Sequence, residues 1–345
     1  MKKLLLFLVL IFPLILCSQR PNTKRIAIPY LQPPSNPLNK NIESYFSSVV
    51  NNSTVFQPTS PNLKLKGYQR AESSNNADLD IKFVINNVSF SSNVFKEKYK
   101  KKVNDSTYVS AEGGRYSVEA VINFSEYVTD IKNNKNIISN EGILSNKSFV
   151  SSLIKNYGEA VKIHNSRKRR DAIGLYVQIA NESINRFIVN VNNNYGYPFY
   201  YYYMPFARGR GRKHDYYDLA QAFNDFEKVR EITKKAFSGN NPPRYGSFSA
   251  AMRDELSKKL DGCIEIWQNA INEYVPKKRK ARIGDKIIDH LYLNLSAGYF
   301  LKGNWNKVYQ TLSKVNLGKS EIKKASKFKS KVKELENRVS INEIL

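Results

Sequence analysis

The sequence predicts an α+β protein, a small mixed-sheet amino-terminal domain followed by an all-α helical-repeat domain. Three observations predict it. Along "ADLDIKFVI" and "GGRYSVEAVINF" apolar residues alternate with polar ones, the period of half-buried strands. From about residue 170 onward the apolar residues instead recur every three to four positions, as on amphipathic helices. Finally, Val229 and Cys263 open similar helical stripes 34 positions apart, a spacing used by stacked helical hairpins. The expected organisation is a signal segment over 1–17, a tether over 18–23, a sheet domain over 24–150, a linking helix with a Tyr/Arg-rich connection over 151–215, helical hairpins over 216–318 and a closing helix over 319–345.

The amino terminus sets the compartment. Lys2 and Lys3 precede an apolar run from Leu4 to Leu16, long enough for a signal-peptide core and too short to cross a bilayer of roughly 30 Å. The run ends at Cys17 and the small polar Ser18, with Leu14 and Ile15 before it. That ending resembles the lipobox of bacterial envelope lipoproteins of the Bacteroidota type, with Leu16 where that family has Gly, Ala or Ser. The resemblance implies that Cys17 is the lipidated residue and ties the chain to a membrane; an ordinary secretory signal or an uncleaved anchor are the other readings, and all three export the chain. The stretch after Cys17, "SQRPNTKR", has no acidic cluster, which favours an outer-membrane lipoprotein facing the periplasm.

Export narrows the partners. With 55 Lys+Arg against 30 Asp+Glu, the net charge of +25 attracts anions of any kind, but an exported chain meets little nucleic acid, which is therefore not the expected partner. A protein partner in the envelope and an acidic glycan remain. A lipidated Cys17 also leaves Cys263 without a disulfide partner, so Cys263 is expected to be a small buried apolar residue.

In the first half, Arg25–Leu31 reads as a strand stopped by Pro33 and Pro34. Leu38, Ile42, Tyr45, Phe46 and Val49 have helical spacing, and "STVFQP" looks like a second short strand. Strands follow over Leu79–Ile85, Tyr116–Phe124 and "NIISNEGIL". The lysine-dense "VFKEKYKKKVNDSTY" between them is expected to be a solvated hairpin end, and the Gly pair of "AEGGRY" a turn or bulge. The exported anchor, "RIAIPYL", a helix and "ADLDIKFVI" together resemble the amino-terminal domain of envelope lipoproteins similar to TolB and the curli-secretion lipoprotein. A sheet domain able to oligomerise in a secretion or assembly channel is what that resemblance implies.

In the second half, "YLNLSAGYFLKGNWNKVYQTLSKV" resembles a tetratricopeptide repeat, with Tyr292, Leu295, Ser296, Tyr299, Gly303, Asn304 and Trp305 in its places and Val308, Leu312 and Val315 on the second helix. Cys263, Trp267 and Ala270 repeat the second-helix pattern upstream. The resemblance implies a scaffold that binds protein through a concave helical surface. Ile322, Ala325, Phe328, Val332, Leu335 and Val339 make an apolar seam on a last helix, which either caps the array or lies on a membrane. Ile173, Val177, Ala180, Ile184 and Ile188 mark the linking helix.

The stretch "YGYPFYYYYMPFARGRGRKHDYY" stands apart. Read structurally, it is an ordered connection whose tyrosines pack with the hydroxyls wet. Read as a site, Tyr201 and Tyr203 are platforms for a sugar, and Arg208, Arg210, Arg212 and Lys213 grip its acidic group. No catalytic residues, metal ligands or cofactor motifs assemble: His164, His214 and His290 are scattered, and "GRGRKHD" lacks the strand before it and the Lys-Ser/Thr after it that a phosphate loop needs. The expectation is a non-enzymatic protein.

Overall fold

A computed structural model describes residues 22–53, 63–104, 106–208, 214–238, 245–278 and 280–344. They form two compact units: Leu38–Asn194, and the residues on either side of that segment.

The first unit is a five-stranded mixed sheet covered by one long helix. Its strands are β2 (Ser44–Asn51), β3 (Gln69–Arg70), β4 (Leu79–Lys102), β5 (Tyr108–Asp130) and β6 (Lys135–Val150), in the order β3-β2-β4-β5-β6. β2 runs parallel to β3 and β4, and the rest is an antiparallel meander. β4 and β5 pair from Leu79↔Asp130 to Lys102↔Tyr108, while β2 flanks only Leu79–Ile85 and β6 only Ser117–Asp130. The lysine-rich end of the hairpin is therefore a two-stranded ribbon with exposed side chains, as its composition predicts. Helix α1 (Tyr157–Tyr195) covers one face of the sheet. Phe83 sits between Phe124, at 5.5 Å, and Phe187, at 5.8 Å, and the Tyr116 hydroxyl donates to Asp171 at 2.7 Å. Gly114 lets the first turn of α1 come close: a Cβ there would lie 2.8 Å from that of Ala160.

The helix expected around Tyr45–Val49 is a strand. Tyr45 and Ser47 are buried while Ser44, Phe46 and Ser48 are not, a period of two inside a spacing that also fits a helix. The paired valines Val49 and Val50 favour the extended chain, and a buried carboxylate starts it: Asp78 accepts from the backbone N–H of Glu43 and Ser44, at 2.8 and 2.9 Å, and from the Ser44 hydroxyl at 3.0 Å. Burial alone would raise the Asp78 pKa. Lys132 Nζ at 2.7 Å and those donors outweigh it and hold the carboxyl below its ordinary range. The strand expected in "STVFQP" falls outside the described residues.

The second unit overturns the all-α expectation. Strand β1 (Thr23–Leu31) pairs antiparallel with β7 (Phe199–Ala207) along all nine residues, from Thr23↔Ala207 to Leu31↔Phe199. This ribbon lies within the helices α2 (Tyr217–Ser238), α3 (Tyr245–Asn272), α4 (Asp285–Leu301), α5 (Trp305–Leu312) and α6 (Lys319–Ile344). Its inner residues Ile26, Ile28, Met204 and Phe206 share one core with Phe226, Trp267, Leu291 and Phe328. Phe206 packs on Phe226 at 4.8 Å and on Trp267 at 5.8 Å, and Tyr202 on Phe328 at 4.7 Å. In a repeat array each hairpin touches only its neighbours. Here residues of four helices meet on a strand pair, so the described residues do not form an all-α repeat domain, and Phe328 in the seam of α6 packs both on Tyr202 of β7 and on Phe300 of α4.

The local helical signals survive inside this different fold. Gly303 takes φ +69° between α4 and α5, and Asn304 caps α5 by accepting from the Lys307 N–H. Trp267 and Ala270 are fully buried, Leu295 and Tyr299 nearly so, and Tyr292 and Trp305 are half-buried against the same core. Cys263 is buried, as expected.

Candidate functional site

Side chains alternate across a strand, so the consecutive tyrosines of β7 divide between two faces. Tyr200 and Tyr202 turn inward with Met204 and Phe206, and burial raises the pKa of both hydroxyls. Phe199, Tyr201 and Tyr203 share the outer face with Ala27 and Pro29 of β1 opposite them. The three rings form a row, with centroids 4.8 Å apart between Phe199 and Tyr201 and 6.4 Å between Tyr201 and Tyr203. Tyr203 is 54% exposed. Phe199 and Tyr201 are half-buried, and their partners Leu31 and Pro29 are buried, so Tyr203 is the ring of the row that is open to solvent.

Arg25 completes this face. Its guanidinium lies 4.6 Å from the centroid of the Tyr203 ring. Stacking holds the planar fork while leaving its N–H edge free for a carboxylate or phosphate. Beside it opens a shallow depression of about 540 Å³, lined by Lys24, Arg25, Tyr203, Glu227 and Arg230 among others. Glu227 is held by Arg230 at 3.1 Å, and no carboxylate among the described residues comes within ion-pair distance of Arg25.

The residues singled out from the sequence are therefore not all together. Tyr201 and Tyr203 stand in one row. Arg208 lies beyond the other end of β7, roughly 24 Å from Tyr201 at strand rise, with its guanidinium 5.3 Å from the Phe223 ring. Arg210, Arg212, Lys213 and Cys17 lie outside the described residues. Arg25 is the arginine stacked on Tyr203 among the described residues, and nothing in its own neighbourhood of the sequence marked it, since its partner ring is 178 positions away.

A second residue passed over is Asn294. Its fully buried amide accepts from the Ala207 N–H and donates to the Ala207 carbonyl, both at 3.0 Å, standing in for a neighbouring strand. This clamp fixes the end of β7 against α4. The histidines stay apart: His164 is buried against Tyr116, His214 Nε2 meets the Lys280 carbonyl, and burial lowers the His290 pKa despite Glu321 nearby. Among the described residues no group of three His, Cys, Asp or Glu side chains is placed to hold a metal, and no helix is long and apolar enough to cross a membrane.

No protein family matches the chain, and neither does any curated protein. Among solved structures it is similar to one described as a neuraminyllactose-binding hemagglutinin homolog from Helicobacter pylori, with 11% identity, covering 45% of this chain and 92% of that one, at a TM-score of 0.17. Likeness at that score establishes neither a common fold nor a common ligand, and the outer face of the β1–β7 ribbon is read from its own geometry.

Proposed function

We propose that the chain is an exported, non-enzymatic envelope protein, anchored through Cys17, whose outer β1–β7 face binds an acidic glycan. One observation carries the binding reading: a row of rings, Phe199 and Tyr201 half-buried and Tyr203 exposed, ends in a guanidinium, that of Arg25, stacked on the exposed ring and unpaired by any described carboxylate. Rings offer apolar surface to the C–H faces of sugars, and the fork offers two donors to a sugar carboxylate. A neutral glycan would use the first and waste the second. The apolar run ahead of Cys17 supports export and anchoring.

Calorimetric titration with polygalacturonate and with neutral dextran tests the ligand class. Binding of the acidic polymer alone is expected, and Tyr201→Ala with Tyr203→Ala should weaken it about tenfold or more while the circular dichroism stays unchanged. Equal binding by the double variant sinks the reading. The anchor is checked separately by palmitate labelling in cells, which Cys17→Ser should abolish.

A further inference from the structure

We infer that the Thr23/Ala207 end of the ribbon is a docking surface for anionic phospholipid headgroups. Two cations are built into that end. Lys24 Nζ and the Arg208 guanidinium lie 5.4 and 5.3 Å from the centroid of one ring, that of Phe223, which is itself 2% exposed. The Arg208 N–H donates to the Asn22 carbonyl at 3.0 Å and ties the two strand ends together beneath them. Neither cation has a carboxylate within ion-pair distance among the described residues. Both charges are thus held in place without being neutralised, and Arg25 adds a third on the neighbouring face. The one carboxylate lining the adjoining depression, Glu227, is occupied by Arg230.

Chain length says what lies opposite. The inference rests on the Cys17 anchor for this step. Four residues separate Cys17 from Asn22, so a lipid on Cys17 holds Asn22, next to the start of β1, within roughly 18 Å of the acyl attachment even if the chain is fully extended. Headgroup charge acts over about 8 Å at physiological salt, so a tethered cationic end spends its time within reach of that field. The aromatic row lies farther along the ribbon, from Tyr203, roughly 14 Å from Ala207 at strand rise, to Phe199, roughly 27 Å from it. The ribbon would then stand with a cationic root on the lipid and its rings above.

The chain from Ser18 onward keeps every described residue and lacks the lipid, so vesicle binding can be read without the anchor. Cosedimentation with phosphatidylcholine vesicles, and with vesicles carrying 30 mol% phosphatidylglycerol, is the measurement. Binding to the second set alone is expected, with Lys24→Gln plus Arg208→Gln weakening it roughly thirtyfold, about fivefold per cation and a little more. Lys323→Gln plus Lys327→Gln, which removes the same charge from exposed positions of α6, should leave it within about twofold. The inference is overturned if the ribbon variant binds like the parent, if the α6 variant loses as much, or if polygalacturonate is bound and anionic vesicles are not. Loss of palmitate labelling from Cys17 would instead remove the anchor reading and leave the vesicle result standing.

Discussion

Replacing Asn294 by Leu tests the clamp that puts a strand pair among helices. The substitution keeps side-chain volume and removes both hydrogen bonds, leaving the N–H and C=O of Ala207 without partners at a site with no solvent access. Each buried unsatisfied group costs about 1–3 kcal/mol, and removing the desolvated amide offsets about one of these, so a net loss of roughly 1–3 kcal/mol is expected. For a unit of this size that lowers Tm by about 2–12 °C. Both tryptophans of the chain, Trp267 and Trp305, pack in this core, so their fluorescence during urea or thermal unfolding follows this unit specifically. Asn294→Asp sharpens the test. Its carboxylate can accept from the Ala207 N–H but faces the carbonyl, so the folded state favours the protonated acid and raises its pKa. Its stability should therefore approach that of the parent below about pH 4 and fall as pH rises above it. A Leu variant within about 0.5 kcal/mol of the parent would show that the amide does not hold β7.

Other expectations follow from individual groups. Asp78 has a depressed carboxyl in the folded state, so its stabilisation is complete above the unfolded value near 4 and is lost as pH falls below it; Asp78→Asn should be less stable at pH 7 by about 1–3 kcal/mol and show a shallower acid decline, read from urea midpoints by circular dichroism. The buried Asp289 carboxylate accepts from the N–H groups of Asn316, Leu317 and Gly318 at 3.2, 2.9 and 2.7 Å; Asp289→Ala should cost about 2–4 kcal/mol and speed hydrogen exchange at those three amides, just ahead of α6, before those within the helix. Burial, aided by the Asp225 carboxylate, pushes the Cys263 thiol up to about 12. In the chain from Ser18 onward it should resist a disulfide reagent at pH 8 and react once the protein is unfolded; rapid labelling of the native chain would contradict its burial.

Much of the local structure was legible before any coordinates. The β4–β5 hairpin writes its period of two into neighbouring residues such as Leu79, Ile81, Phe83 and Ile85, and the lysines at its end follow from exposure on an unflanked ribbon. The stripes of α4 and α6, the Gly303–Asn304 turn and the buried Cys263 are likewise local, because a helix shows its buried face within two turns of sequence. β2 misled because Leu38, Ile42, Tyr45, Phe46 and Val49 have helical spacing whereas the residues buried in alternation are Tyr45 and a serine, Ser47, and the deciding partner, Asp78, lies 34 positions from Ser44. The tetratricopeptide pattern misled differently. It correctly marked residues that face a core, but a stripe of apolar side chains does not say whether the surface opposite is another hairpin or a strand.

What the amino-acid sequence determined by itself was the set of amphipathic elements, the large positive charge and the apolar run from Leu4 to Leu16 ahead of Cys17. Only the tertiary structure decided that β1 and β7 pair across more than 160 residues, and with them which tyrosines face outward and which arginine joins them. The reason is physical: periodicity is a property of one element and its own buried face, whereas strand pairing is made between backbone groups that every residue carries. The side chains that select the pair, Asn294 above all, act on atoms far away along the chain.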